Sequence, residues 1–168
     1  NTIGGMALQP DGKIVVAGGR PTPATWPVVV SDFLIVRYNS DGTLDASFRV
    51  GGEATTTFGG YDEARAVALQ ADGKIIAAGL GGSSDPAFDP VEGWIVPQEF
   101  AVARYHPDGS LDRSFGTAGK VLVNVGDTSG AHALALELDG NIIVVGRGGD
   151  QLGEFAVVRL IGTSTATE

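Results

Sequence analysis

Few residues of this chain have side chains suited to chemistry, and they are scattered. Its 168 residues include two histidines, two tryptophans and no cysteine. His132 stands among small residues in Gly130-Ala131-His132-Ala133, and Arg65 stands likewise in Ala64-Arg65-Ala66. An imidazole can accept or donate a proton near neutral pH, so His132 and Arg65 are candidate ligand-binding residues and the only candidates for a hydrolytic centre. No Gly-x-Ser-x-Gly elbow or His-Glu-x-x-His occurs, and the runs Gly79-Leu80-Gly81-Gly82 and Gly146-Arg147-Gly148-Gly149 lack the Gly-Lys-Ser/Thr of a phosphate loop. Trp26 and Trp94 both lie in proline-containing insertions. An indole offers a flat apolar face to a sugar or peptide, and proline lowers the cost of ordering the loop. Packing against a sheet edge or in a seam between subunits is the alternative for both. Asp85, Asp89, Glu92 and Glu99 could together hold a hard cation through carboxylate oxygens; a solvated acidic loop is the competing reading. Residues 39–45 read Asn-x-Asp-Gly-x-x-Asp, like the start of a calcium loop, but the second copy begins with His106, and a backbone-capping aspartate turn accounts for both copies.

The elements that position these residues are written three times. Residues 7–18 (ALQPDGKIVVAG) return at 68–79 (ALQADGKIIAAG) and at 135–146 (ALELDGNIIVVG). A second phrase follows each copy: FLIVRY at 33–38, FAVARY at 100–105 and FAVVRL at 155–160. Tandem repetition at this period predicts stacked or radially arranged units. Each unit reads as up to four short strands. In the second these are 54–58, 64–70, 74–78 and 100–105, with a tight Asp-Gly turn at 71–73. Strand 64–70 is expected to put Val67 and Leu69 on one face and Ala64, Ala66 and Ala68 on the other. The runs 13–17, 74–78 and 141–145 are apolar without alternation, so all three are expected to be covered on both faces. After the last strand, 39–48 and 106–116 repeat a turn with a hydrophobic latch, in which Leu44, Phe48, Leu111 and Phe115 tuck under the sheet. The third unit loses it. Arg37, Arg104 and Arg159 recur at one strand position, which makes them structural, paired with carboxylates such as Asp45 and Asp112 or with backbone carbonyls.

The chain's net charge is −9, and its eleven basic residues form no run. That balance argues against nucleic acid and anionic membranes as partners. No stretch of about 20 apolar residues occurs, so no spanning helix is expected. Without cysteine there are no disulfides and no thiolate metal sites. The chain starts Asn1-Thr2-Ile3 with no signal peptide, which reads as a product processed, cloned or cut from something longer.

The repeated phrases resemble the bacterial delta-60 repeat family. The match is close at 64–79 and 100–116, good at 5–18 and 33–48, and weaker at 131–160, where Asn141 takes the lysine position and Leu160 the tyrosine position. The resemblance implies an all-β propeller of four-stranded blades in a secreted or cell-surface bacterial protein, and it supplies no chemistry. Three blades, divided near 1–48, 49–115 and 116–168, cannot close a ring, since propellers typically have four to eight. The first unit lacks its first strand, and the Thr-rich tail 162–167 offers a twelfth. Two chains pairing as a six-bladed ring, each tail completing its partner's first blade, is one solution; a piece of a longer array is the other. The functional reading is a non-catalytic scaffold or interaction module without a cofactor, its partners a second copy, the rest of a longer chain, or a glycan or peptide. A carbohydrate-binding propeller using Trp26 and Trp94, and a hydrolase with Arg65 and His132 in the central channel, are the rivals.

Overall fold

The computed structural model describes residues 1–22, 30–82, 87–89, 93–95, 98–126, 129–149 and 154–161, with backbone alone at 87–89 and 93–95. The strands are β1 (Thr2–Leu8), β2 (Ile14–Thr22), β3 (Val30–Tyr38), β4 (Glu53–Thr56), β5 (Glu63–Leu69), β6 (Ile75–Gly81), β7 (Ala87–Asp89), β8 (Gly93–Ile95), β9 (Glu99–Tyr105), β10 (Lys120–Val123), β11 (Gly130–Leu136), β12 (Ile142–Gly148) and β13 (Glu154–Leu160). They form three antiparallel sheets, β1-β2-β3-β4, β5-β6-β9-β10 and β11-β12-β13, plus a two-stranded β7-β8 hairpin inserted in the second unit. The fold is all-β with three propeller-like repeats.

The Asp-Gly turns are built as their residues dictate. Asp11, Asp72 and Asp139 each accept a hydrogen bond from the amide two residues on, at 3.1–3.2 Å, which closes the β1–β2, β5–β6 and β11–β12 hairpins. Asp41 and Asp108 do the same in the latch turns, bonding Thr43 N at 2.9 Å and Ser110 N at 2.8 Å.

The sheets group the strands differently from the repeat as read. The strand expected to open the second unit, β4, pairs with β3 and closes the first sheet. After Phe48 the chain turns back through 49–52, and Arg37 N donates to Gly52 O at 3.0 Å, so the next residues lie along β3. The first sheet is therefore already four-stranded. A partner's tail has no vacancy to fill there, which corrects the tail-swapped pairing. The sheet with three strands among the described residues is the third; residues 162–168 lie outside them.

Two apolar layers join the sheets. Val15, Ala17, Phe33, Ile35 and Phe48 of the first unit meet Ala64, Ile75, Ala77, Ala101, Ala103 and Tyr105 of the second. Ile76, Ala78, Phe100, Val102 and Phe115 of the second meet Ala131, Ile142, Val144 and Ala156 of the third. Alanines in the middle sheet let its neighbours approach closely, and each fully buried large side chain contributes about 1.5–3 kcal/mol. Of the three apolar runs only the middle strand β6 is buried along its whole length. β2 and β12 are covered on one face, because among the described residues nothing stacks beyond the end sheets; the expectation that all three runs are covered twice fails for that reason. Of the latch residues, Phe48 and Phe115 are buried and Leu111 is partly so, but Leu44 is exposed.

Candidate functional site at the strand bulges

The first strand of every sheet carries the same irregularity. Ile3 pairs with Gly18 and Gly5 with Ala17, so Gly4 is one residue too many. Arg65 is the extra residue between Ala64 and Ala66, and His132 between Ala131 and Ala133. A bulge bends its strand and re-aims a side chain. The positions at which the three repeats differ chemically, Gly4, Arg65 and His132, are thus the three bulges. This shift also overturns the simple alternation along β5: Ala64 shares a core face with Val67 and Leu69 rather than with Ala66 and Ala68.

Each bulge is made possible by the glycine that ends the first phrase. A Cβ on Gly18 would lie 1.9 Å from Thr2 O, one on Gly79 1.9 Å from Glu63 O, and one on Gly146 2.1 Å from Gly130 O. The bulged strand presses its carbonyl onto the neighbouring strand, and only a residue without a side chain fits. A glycine inside a strand pattern is the sequence signal of such an approach.

The structure brings Arg65 and His132 together across the second and third sheets. Arg65 Nη1 lies 3.3 Å from His132 Nε2, and Arg65 Nε donates to Glu63 Oε2 at 3.3 Å. His132 is exposed, and its pKa lies below the ordinary histidine value. Partial burial is the main cause, followed by the positive charges of Arg65 and Arg147. Glu63 and Arg147 are the members of this group that sequence reading missed; neither repeats, and although Glu63 lies two residues before Arg65, Arg147 is brought near His132 by the β11–β12 pairing. The first unit has no side chain at this position, because β1 packs backbone-to-backbone: a Cβ on Gly4 would be 2.2 Å from Ala64 O.

The recurrent arginines are structural, as expected. Arg37 Nε donates to Asp45 at 2.7 Å and its guanidinium lies 4.6 Å from the centre of the Phe48 ring. Arg104 repeats the arrangement with Asp112 at 2.9 Å and Phe115 at 4.7 Å. The Ser47 hydroxyl, then the Lys13 ammonium and Arg37, hold the Asp45 carboxyl well below the usual range. For Asp112, burial pulls the other way, but Ser114 and Arg104 outweigh it and the carboxyl is again lowered. In the third unit Thr167 stands at the Asp45 position, and Arg159 pairs instead with Glu137, at 2.6 Å from Nη2. Glu137 replaces the Gln9 and Gln70 of the other repeats.

Trp26, Asp85 and Glu92 lie outside the described residues, and at Asp89 and Trp94 only the β7-β8 backbone is described. Glu99 opens β9 and pairs with Gly81. Among the described residues no three of His, Asp and Glu gather as a metal site. No described helix is long and apolar enough to cross a membrane. An open groove of about 450 Å³, lined by Phe58, Gly116, Thr117, Lys120, Val121 and Leu122, lies elsewhere. Its one charge, Lys120, already donates to Thr57 O at 2.8 Å.

Residues 9–20, 26–48 and 93–115 match the model of a family described as a domain of unknown function (DUF5122), beta-propeller. These stretches cover the first hairpin phrase and the third-strand and latch phrases of the first and second units. Part of the chain is thus a β-propeller-type domain. No curated protein matches the chain.

Proposed function

We propose that this chain is a non-catalytic interaction module of the delta-60 repeat kind, from a secreted or surface bacterial protein, and that it binds further blades of its own type through its two end faces. One comparison supports this reading. Phe155 of the third sheet is 99 % exposed, whereas its repeat equivalents Phe33 and Phe100 are completely buried against the next sheet. Val157 is exposed where Ile35 and Val102 are buried. At the other end Ile3, Met6 and Leu8 are exposed on β1, although their equivalents Ala64, Val67 and Leu69 pack in the first layer. Each end therefore presents half of an interface that the molecule completes twice internally. Exposed apolar patches of this kind mark association surfaces, and head-to-tail contacts close into rings when the rotation from one unit to the next closes. The Arg65–His132 pair fits a rim contact between sheets, with Arg65 held by Glu63.

Light scattering coupled to size exclusion tests the reading. A uniform species of twice 17.2 kDa is expected, and Phe155→Glu should return it to the single-chain mass. A 17.2 kDa wild type that Phe155→Glu leaves unchanged would overturn it.

A further inference from the structure

One internal joint shows in detail what the first sheet lacks. At the joint between the first and second sheets, the latch of the first unit docks on the turn 106–110 of the second. Phe48 covers Gly109 so closely that a Cβ there would be 2.7 Å from the ring's Cζ. Arg37 Nη1 donates to Pro107 O at 2.6 Å, and Arg49 N donates to Asp108 O at 2.7 Å. Beside them the Tyr105 hydroxyl donates to Thr56 Oγ1 at 2.8 Å. The same turn exists in the first unit, at 39–43, with the same closing bonds: Asn39 N to Thr43 O at 2.8 Å, and Gly42 N to Asn39 O at 2.9 Å. Gly42 even has the φ of Gly109, 84° against 85°.

Among the described residues nothing covers this first turn. A Cβ on Gly42 would have no atom within 4 Å. Gly42 is exposed where Gly109 is buried, and Leu44 is exposed where Leu111 is packed. Among the described residues no donor reaches Ser40 O or Asp41 O, the counterparts of the Pro107 and Asp108 carbonyls. Tyr38 Oη, the counterpart of the Tyr105 hydroxyl, has no partner there either. A preformed socket stands open.

We infer that Tyr38, the 39–43 turn and Leu44 form a binding site for the latch segment of another blade, a peptide of the type Arg-Tyr-x-x-Asp-Gly-x-Leu-Asp-x-Ser-Phe. Its phenylalanine lies on Gly42, its arginine donates to Ser40 O, and the amide after the phenylalanine donates to Asp41 O. This deepens the reading above and rests on it, but it names a different contact. The third unit of a second copy presents Phe155 and Val157, while its positions equivalent to Asp41, Gly42 and Asp45 are Thr163, Ser164 and Thr167. Residues 162–168 thus lack the Asp-Gly turn and the aspartate that the latch phrase carries in the first two units. The occupant is a blade with an intact latch.

The test uses the full chain, isotopically labelled, and a synthetic peptide copying residues 37–52. Saturable NMR shifts at Gly42, Thr43 and Tyr38 are expected. A peptide with Ala in place of Phe48 should bind at least about tenfold more weakly, since a buried aromatic anchor carries most of such a contact. Gly42→Asn fills the socket with a residue that tolerates the left-handed backbone, and it should abolish the shifts while the remaining spectrum keeps its dispersion. Absence of shifts at these residues, or equal binding by the alanine peptide, would overturn the inference. The light-scattering result stands apart: association lost on Phe155→Glu with no peptide binding would remove the socket and leave the end-face reading in place.

Discussion

The hydroxyl of Tyr105, wholly buried between the first and second sheets, donates to Thr56 Oγ1 at 2.8 Å. At the next joint the equivalent positions are Leu160 and Val123, both packed against the second apolar layer. One joint uses a hydrogen bond where the next uses two hydrocarbon side chains. Burial also pushes the Tyr105 phenol well above its ordinary pKa. Removing one partner strands a buried polar group, which costs about 1–3 kcal/mol, whereas replacing both with apolar groups of similar shape is close to neutral. Thr56→Val should therefore lower stability by about 1–3 kcal/mol. The double variant Thr56→Val with Tyr105→Phe should recover most of that loss. Urea unfolding midpoints of the two single variants and the double give the cycle, and additive losses would show that the bond is not a coupled unit.

The arginines at one strand position should differ sharply in worth. Arg37 is buried, bonded to Asp45 and Pro107 O, and lies against Phe48. Arg159 is over half exposed and holds only carboxylates at the surface. Breaking a buried pair costs about 3–5 kcal/mol, and an exposed pair is worth about 1 kcal/mol or less. Lys13 stays on Asp45 at 2.9 Å, so Arg37→Ala should fall at the low end, about 3 kcal/mol, and Arg159→Ala should cost far less. The pH dependence follows from Asp45. Its folded pKa is depressed, so its contribution is full above the unfolded value of about 3.9 and fades as pH falls through the folded value. Arg37→Ala should accordingly unfold at a higher pH on acid titration. Equal stabilities and acid midpoints for the two alanine variants would contradict this account.

The fold was legible because repetition, Asp-Gly turns and apolar runs are local signals. The phrase-ending glycines at 18, 79 and 146 were visible too, but their meaning was not. They mark the strand bulges, and the bulges shift Ala64 to the face of Val67. Grouping of strands into sheets is not legible at β4, since the repeat in the sequence and the sheet in space are out of phase by one strand. Pairing of Arg37 and Arg104 with Asp45 and Asp112 was readable from recurrence. The meeting of Arg65 with His132 was not, because 67 residues separate them and only sheet stacking closes that distance. Leu44 and Leu111 look identical in sequence, and their different burial depends on whether a blade precedes them.

The bulge pair gives the last prediction. Partial burial, then Arg65 and Arg147, lower the His132 pKa, and Arg65 is held by Glu63 at 3.3 Å. The folded state thus binds fewer protons than the unfolded chain between the lowered value and about 6.5, so stability rises with pH across that window. Arg65→Gln removes one of the two positive charges, and leaves partial burial and Arg147 in place. The His132 pKa should rise part of the way towards its ordinary value, read from the ring Cε1 resonance in an NMR titration. Gly79→Ala offers an independent route. Its Cβ would collide with Glu63 O, so β5 can no longer hold the bulge that aims Arg65. The His132 pKa should rise in this variant as well, with a loss of stability that Arg65→Gln does not share. A His132 titration unmoved in both variants would show that Arg65 exerts no field on the imidazole and that the short contact between them is incidental.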